Sequence, residues 1–360
     1  MKNHYGPSVY YASDKSIRDA LNQPKISDKS LQRLLYSRGI LLSSENARDY
    51  LAGYFSRLNY DYYDQAEIAD AMEVQPRRDR TTSRFITTQN DISIFEHAAD
   101  AIKSEIEKRE DGIDINLIDN RLTVSIDYIS IDYRRSEFSQ VRRQTGVIDV
   151  IKSATGYIVR STQTPYIDER VESFLAEAEK ACQGKNFSLS TINLQAVPDH
   201  KYRTEFFDLL INGLIGYPLI DVSAAYVFKK HPDPDEIDDD DNVSDDLEDI
   251  RIERASLSGK GVHRSEEIKA LHNREFYAVR VSWSVADSSQ DRFDIDATFS
   301  EPESCSGFSY LLRRVHQYIG KGRPPHQRSP LKKEIDTMYS LLEDSATRAM
   351  TSIREKYHAK

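Results

Sequence analysis

Carboxylate and lysine pairs that could support metal-dependent cleavage of nucleic acid are the first chemistry to test in this sequence. Restriction-type nucleases need an Asp followed by Glu-x-Lys on adjacent strands, because the carboxylates hold Mg²⁺ and the lysine polarises the attacking water. The one Glu-x-Lys, Glu267 to Lys269, falls on a predicted helix, and neither Asp149 nor Asp294 has a lysine two positions later. We therefore predict no catalytic residue and no metal site. A divergent Mg²⁺-dependent nuclease built on Asp149 or Asp294 is kept as an alternative.

Other catalytic and cofactor motifs are missing as well. The nine histidines form neither H-x3-H nor H-E-x2-H, the sequence has no G-x-S-x-G, and its two Gly-Lys-Gly segments are not part of a phosphate-binding loop. Cys182 and Cys305 do not form a C-x-x-C pair, and Cys305, between two serines, is the one thiol that could be reactive. The sequence predicts no cofactor and favours a protein that is not an enzyme.

Clusters of arginine and lysine point instead to phosphate contact. One cluster lies in a short segment after residue 76, and a second crowds the region from Arg313 and Arg314 to residue 333. Within it, the segment 318–328 combines glycines, cations and Tyr318, which suits close approach to a nucleic-acid backbone. The candidate contacts from these clusters are Arg77, Arg78, Arg80, Lys321, Arg323 and Arg328.

The negative charge of the chain is concentrated in one segment. The formal net charge is −10, but eleven acidic residues and no basic one lie between Asp233 and Asp249, so the rest of the chain is close to neutral. Such a run repels itself and cannot bury apolar area, which predicts a disordered acidic insertion at 231–249. It is either a solvated loop or a mimic of nucleic-acid charge that competes for a basic groove.

Apolar residues at helical spacing predict an all-helical module over residues 1–85. A first helix over 29–37 is capped by Asp28 and ended by Gly39. A second begins after Ser43 or Ser44 and extends to about residue 58, and a third covers 62–73.

A pattern within residues 28–60 resembles the SAP and LEM group of helix–extended loop–helix modules. It is carried by Leu31, Leu35, Gly39-Ile40, Ser43-Ser44, Arg48, Leu51 and Leu58. The resemblance implies contact with double-stranded DNA for SAP-type members and contact with a protein for LEM-type members. In the DNA case it implies that Lys29, Arg33, Arg38 and Arg48 touch phosphates. Ser43-Ser44 stands where SAP modules often have Ser-Gly, and Glu45 and Asp49 would repel phosphate.

Beyond the module, the pattern alternates between helices and period-two strands with short connections, which predicts an antiparallel meander. Predicted helices cover 92–109, 166–182, 199–214 and 265–272. Predicted strands cover 113–118, 122–133, 146–151, 156–161, 187–194, 217–229, 250–257, 275–285 and 292–299, the last two forming a hairpin through 287–291. The fold class is therefore α+β, with an N-terminal helical module, a central mainly antiparallel mixed sheet with flanking helices, and a long C-terminal helix.

The C-terminal helix is predicted over 331–357, where an apolar stripe recurs every three or four residues. The stripe either docks against its own domain or pairs with a partner protein or a second copy of the chain. The sequence holds no apolar run long enough to span a membrane and no N-terminal apolar leader. With only two cysteines, the expected location is the cytoplasm, away from membranes.

Taken together, the expected domains are a helical module at 1–85, an α+β domain at 86–323 and a helix at 324–360. The expected function is a non-catalytic adaptor subunit of a cytosolic multiprotein complex that associates with nucleic acid, most readily DNA. The combination of a small helical module and an α+β body resembles accessory proteins of bacterial anti-phage defence systems. The alternatives are the divergent nuclease and a purely protein-binding scaffold, which the 21 tyrosines would suit.

Overall fold

The computed structural model shows an α+β fold. It describes residues 11–42, 46–72, 78–182, 187–229, 254–259, 261–262, 265–320 and 322–358. Arg77, Lys321 and the acidic segment 231–249 lie outside these ranges, so the predictions made for them stay predictions. The chain divides into two compact units. The first holds the described residues up to 72 together with 103–114 and 125–146, and the second holds 78–102, 115–124 and the described residues from 147 onward.

The N-terminal part of the first unit contains four short helices. They are α1 (Asp14–Leu21), α2 (Asp28–Ser37), α3 (Arg48–Phe55) and α4 (Tyr62–Met72), and a 3₁₀ turn at Glu137–Ser139 belongs to the same unit. The three helices predicted here are confirmed, whereas α1 was not predicted. Ser27, and not Asp28, is the N-cap of α2, because its side chain accepts the amide hydrogen of Ser30 at 3.1 Å.

The helices of the first unit share one apolar core. Leu31, Leu34 and Leu35 of α2 pack in a single cluster with Leu51 and Phe55 of α3. Gly39 ends α2 at φ +73°, a conformation that favours glycine. The two helices predicted from the sequence are therefore present, whereas Ser43 and Ser44 in the link between them lie outside the described residues. The core that holds these helices also includes residues from α1 and α4.

The remaining elements build a large antiparallel sheet with flanking helices. The helices are α5 (Ser93–Lys108), α6 (Pro165–Ala181), α7 (His200–Asn212), α8 (Glu266–Asn273) and α9 (Lys332–His358). The strands are β1 (Thr81–Thr87), β2 (Gly112–Ile118), β3 (Arg121–Ile131), β4 (Val141–Lys152), β5 (Gly156–Thr162), β6 (Ser188–Thr191), β7 (Leu219–Phe228), β8 (Arg254–Ser258), β9 (Tyr277–Ala286), β10 (Arg292–Glu301), β11 (Ser306–Gln317) and β12 (His326–Arg328). α5, β2, β3 and β4 contribute residues to both units.

The strand order is β2-β3-β4-β5-β1-β11-β10-β9-β7-β8, with β6 paired to β1 and β12 paired to β11. The predicted hairpin of β9 and β10 is confirmed, with Ile295 opposite Trp283. Strands β1, β11 and β12 were not predicted. β1 lies in the middle of the sheet, between β5 and β11, although residues 81–85 were expected to belong to the N-terminal helical module. That expectation was wrong for these residues because tertiary pairing outweighed their polar, arginine-rich composition.

One face of the sheet carries the core of the second unit. Phe293, Ile295 and Ala297 of β10 are buried on this face, as expected for alternate residues of a strand. Leu342 and Ala346 from the apolar stripe of α9 belong to the same core cluster. The stripe therefore docks within its own unit, which was one of the two predicted outcomes. A partner of α9 would have to use another face of this helix.

Candidate nucleic-acid interface

The predicted phosphate contacts of the helical module fall into two classes. Lys29 and Arg33 lie one turn apart on the exposed face of α2, and neither has an ion-pair partner among the residues described. Arg38 forms an ion pair with Asp64, and its guanidinium lies 5.2 Å from the centre of the Phe55 ring. Lys29 and Arg33 are thus available to a ligand, whereas Arg38 is used within the unit.

Arg48 holds a turn of the backbone. Its guanidinium donates hydrogen bonds to the carbonyl oxygens of Leu21 at 2.8 Å, Gln23 at 2.9 Å and Ile26, and it forms a 3.0 Å ion pair with Asp28. Leu21 is the last residue of α1, and Gln23 and Ile26 lie in the segment between α1 and α2. The fork of donors on an arginine can bind several acceptors at once. These contacts give Arg48 a structural role that does not depend on binding a phosphate.

In the second unit, most of the predicted contacts are also engaged. Arg78 donates to the carbonyl oxygen of Pro330 at 3.0 Å, and Arg328 forms two hydrogen bonds with the carboxylate of Glu334. Arg323 is exposed and, in the described part of the chain, forms no ion pair. Arg80 belongs to a different arrangement, which was not predicted from the sequence.

A buried aspartate forms ion pairs with three arginines. Arg80 directly precedes β1, Arg280 lies on β9 and Arg313 lies on β11. Asp296 on β10 is 0% exposed, and its carboxylate lies 2.6 Å from Nη2 of Arg80, 2.7 Å from Nη2 of Arg280 and 3.1 Å from Nη2 of Arg313. The hydroxyl of Ser282 adds a hydrogen bond at 3.2 Å. Because alternate residues of β10 point in opposite directions, Asp296 lies on the face of the sheet opposite the apolar core. We call the group of Asp296 and its three arginines the arginine cluster.

The arginine cluster carries excess positive charge. Three guanidiniums face one carboxylate, so two positive charges are left without a compensating partner inside the cluster. Burial alone would raise the pKa of Asp296, but Arg280 and Arg80 hold that pKa below its ordinary value of 3.8. Burial alone would lower the pKa of Arg280, and the hydrogen bond to Asp296 raises it instead. Asp296 and Arg280 are therefore both charged at neutral pH.

A β-bulge brings a further arginine to this face. Asp294 pairs with Arg314 and Ile295 pairs with Leu312, so Arg313 is the extra residue on β11. A bulge redirects side chains that would otherwise alternate. Arg313 reaches Asp296 while Arg314, opposite Asp294, lies on the same face and is exposed. Arg313 keeps 42% of its side chain exposed, so the face presents guanidinium groups to solvent.

The carboxylates considered for a nuclease are occupied by other protein groups. Asp294 accepts hydrogen bonds from Ser284 at 2.8 Å and Arg292 at 2.9 Å, and its second oxygen lies 2.9 Å from Nε2 of His316. Asp149 is held by Arg121 and by the hydroxyl of Thr123. Within the described ranges, no group of three or more His, Cys, Asp or Glu side chains is placed to hold a metal ion.

The sequence contained a partial signal for this site. Arg313 and Arg314 belong to a basic cluster predicted from the sequence, but the alternation of polar and apolar residues along β10 does not indicate that Asp296 is buried. Arg280 stands between apolar residues of β9, which is typical of a strand whose second face is polar. The convergence of residues 80, 280 and 313 depends on strand order and could not be derived from local patterns.

Comparisons with known proteins do not add a family. No family model matches the chain, and no curated protein matches it. None of the helices described is both long enough and apolar enough to cross a bilayer.

Proposed function

We propose that this protein is a non-catalytic, nucleic-acid-associated adaptor subunit of a cytoplasmic complex, and that it contacts phosphates through the arginine cluster and Arg314. The observation that supports this most is the buried Asp296. It fixes the guanidiniums of Arg80, Arg280 and Arg313 in one place while leaving two positive charges uncompensated. Arginine is the side chain best suited to phosphate because its donors are planar and always charged.

The arrangement supports binding independent of base sequence. Contacts from arginine to phosphate position a nucleic acid but carry no sequence information. The face of a broad sheet does not offer the helix or two-stranded ribbon that reads base edges in a major groove. Lys29 and Arg33 on α2 supply a second basic surface, which the resemblance to SAP modules also favours.

The test of this proposal is the binding of labelled single-stranded DNA, double-stranded DNA and RNA, measured by fluorescence anisotropy at about 50 and 200 mM salt. We expect binding at the lower salt that weakens at the higher salt. The double variant Arg313→Gln/Arg314→Gln should bind every nucleic acid more weakly. The matched control is Arg142→Gln/Arg143→Gln, which removes two adjacent, exposed strand arginines from the first unit.

The control should bind as the wild type does. If the wild-type protein binds none of the three nucleic acids at the lower salt, the proposal is wrong. Equal weakening in both double variants would show a nonspecific effect of charge and would also contradict the assignment to the arginine cluster.

A protein-binding scaffold is the second candidate, and exposed tyrosines of the first unit favour it. Tyr50 and Tyr54 lie one turn apart on α3 and are 66% and 44% exposed, and Tyr63 on α4 is 76% exposed. Tyrosine is enriched at protein interfaces because its ring is apolar while its hydroxyl remains polar. Tyr50→Ala/Tyr54→Ala should then abolish co-purification of a partner while leaving nucleic-acid binding unchanged.

A further inference from the structure

A cavity lies beside the arginine cluster, among β7, β8, β9 and β10. Its volume is about 280 Å³, close to the lower end of the roughly 300–1,000 Å³ typical of small-molecule sites. Among the residues that line this cavity are Tyr226, Phe228, Arg254, Arg280 and Phe299. None of the described residues that line it is acidic.

Two arginines at the cavity are held by aromatic rings. The guanidinium carbon of Arg280 lies 4.8 Å from the ring centre of Tyr226, and that of Arg254 lies 5.8 Å from the ring centre of Phe228. Stacking on a ring restricts a guanidinium to one plane while leaving its N–H groups free to donate. Both cations are therefore oriented before a ligand arrives, which reduces the entropy lost on binding.

The two arginines have unused hydrogen-bond donors. Arg280 donates to Asp296 through Nε and Nη2, and its Nη1 donates to no described residue. Arg254 is exposed, and none of its five guanidinium donors has a partner in the described ranges. Only Arg280 has a carboxylate partner, and Asp296 shares its charge with two other arginines. The cavity is thus suited to an anion.

The walls indicate what the anion is attached to. Apart from the two arginines, the cavity is bounded mainly by aliphatic and aromatic side chains such as Phe299. Such walls accommodate a flat apolar group next to the charge. A terminal phosphate carries a charge of about −1.5 to −2 at neutral pH. An internal phosphodiester continues on both sides and fits a small concave site less well than a chain end does.

We infer that this cavity binds a phosphate monoester carried by a nucleoside, with Arg254 and Arg280 donating to the phosphate and the apolar walls contacting the base or sugar. The source is the phosphorylated end of a nucleic acid strand or a free nucleotide. In the first case the inference rests on the proposed function, and it adds a preference for phosphorylated ends.

The experiment compares oligothymidylates that carry a 5′-phosphate, a 3′-phosphate or no terminal phosphate, together with free thymidine 5′-monophosphate. Binding to the full chain is measured by anisotropy or by calorimetry. We expect at least one phosphorylated end to bind about tenfold more tightly than the unphosphorylated strand, as a charge-assisted hydrogen bond implies. Arg254→Gln should abolish this preference. The control Arg274→Gln, at an exposed arginine outside the cavity, should retain it.

The outcomes separate this inference from the proposed function. If all three strands bind equally and with salt dependence, the protein binds nucleic acid but the inference about the cavity is wrong. If no strand binds but the free nucleotide does, and Arg254→Gln abolishes that binding, the cavity is supported and the proposed function fails. If neither a strand nor the nucleotide binds, both are wrong. A preference that Arg254→Gln leaves unchanged would also overturn the cavity assignment.

Discussion

Arg160 on β5 donates two hydrogen bonds to Glu343 on α9, from Nε to Oε1 at 2.7 Å and from Nη2 to Oε2 at 2.6 Å. Both side chains are almost fully buried, with exposed fractions of 6% and 1%. Tyr310 and Ser83 place their hydroxyls on the same carboxylate. This network joins α9 to β1, β5 and β11 within the second unit. It explains how the long C-terminal helix is fixed on the sheet that carries the arginine cluster.

Removal of one partner should therefore destabilise the protein. Glu343→Ala removes the carboxylate that pairs with the buried guanidinium of Arg160, whose remaining ion-pair contact in the described ranges is Asp336 at 3.7 Å, and we expect the free energy of unfolding to fall by about 3–5 kcal/mol. Urea denaturation measures this change. Glu355→Ala, at an exposed carboxylate on the same helix, is the control and should change stability by no more than about 0.5 kcal/mol. Similar losses in both variants would contradict the role of the buried pair.

Acid should destabilise the protein in part through Asp296. Burial alone would raise the pKa of this carboxyl, but Arg280 and Arg80 hold it below its ordinary value of 3.8 in the folded protein. The unfolded state therefore binds a proton more readily. The stabilisation is complete above the ordinary pKa and is lost as the pH falls through the lower, folded value.

Asp296→Asn tests this pH dependence. Between about pH 5 and pH 3, the free energy of unfolding should fall more steeply in the wild type than in the variant, by about 1.4 kcal/mol for each unit of pKa displacement. The readout is the difference in slope, since the variant is also expected to be less stable at neutral pH. Parallel curves for the two proteins would show that Asp296 has the same pKa when folded and unfolded.

Neither cysteine should react with thiol reagents in the folded protein. Cys182 and Cys305 are 3% and 0% exposed, and burial raises the pKa of the Cys305 thiol to about 11. The thiolate is the reactive form, so folding protects Cys305 through both access and ionisation and protects Cys182 through access. Labelling with a chromogenic disulfide near pH 8 should be slow in the native state and complete in urea. Rapid labelling of Cys305 in the native protein would show that its loop opens.

Arg48 should matter for the stability of the first unit. Arg48→Lys keeps the charge but cannot reproduce the hydrogen bonds to Leu21, Gln23 and Ile26, and an unpaired buried carbonyl costs about 1–3 kcal/mol. Amide hydrogen exchange in α1, α2 and α3 should therefore become faster. Arg33→Lys, at an exposed position on α2, is the matched control. Unchanged exchange in Arg48→Lys would mean that this arginine is not structural.

The periodic elements could be predicted from the sequence, and the elements fixed by tertiary pairing could not. The stripe of α9 and the hairpin of β9 and β10 follow from local spacing, and the structure confirms them. β1 could not be predicted in this way, because the arginines in and beside it give the segment the composition of a polar linker. Their ion-pair partners, Asp168 for Arg84 and Asp296 for Arg80, are far away in the sequence.

The candidate site shows the same limit. A basic region near Arg313 and Arg314 is visible in the sequence, but the burial of Asp296 is not. The burial arises because residues 80, 280 and 313 come from segments far apart in the chain that the sheet places side by side. The β-bulge at Arg313 could not be predicted either, because the two-residue alternation of a strand does not indicate where an extra residue is inserted.

The most direct test of the central claim is the salt dependence of nucleic-acid binding in wild type and in Arg313→Gln/Arg314→Gln. A plot of log affinity against log salt concentration has a slope of about −0.9 for each phosphate bound on duplex DNA. If the arginine cluster and Arg314 bind phosphates, the slope should become shallower by about 1 for each phosphate that the variant no longer binds. The variant Arg142→Gln/Arg143→Gln should keep the wild-type slope. A wild-type slope in Arg313→Gln/Arg314→Gln would contradict the proposed role of the arginine cluster.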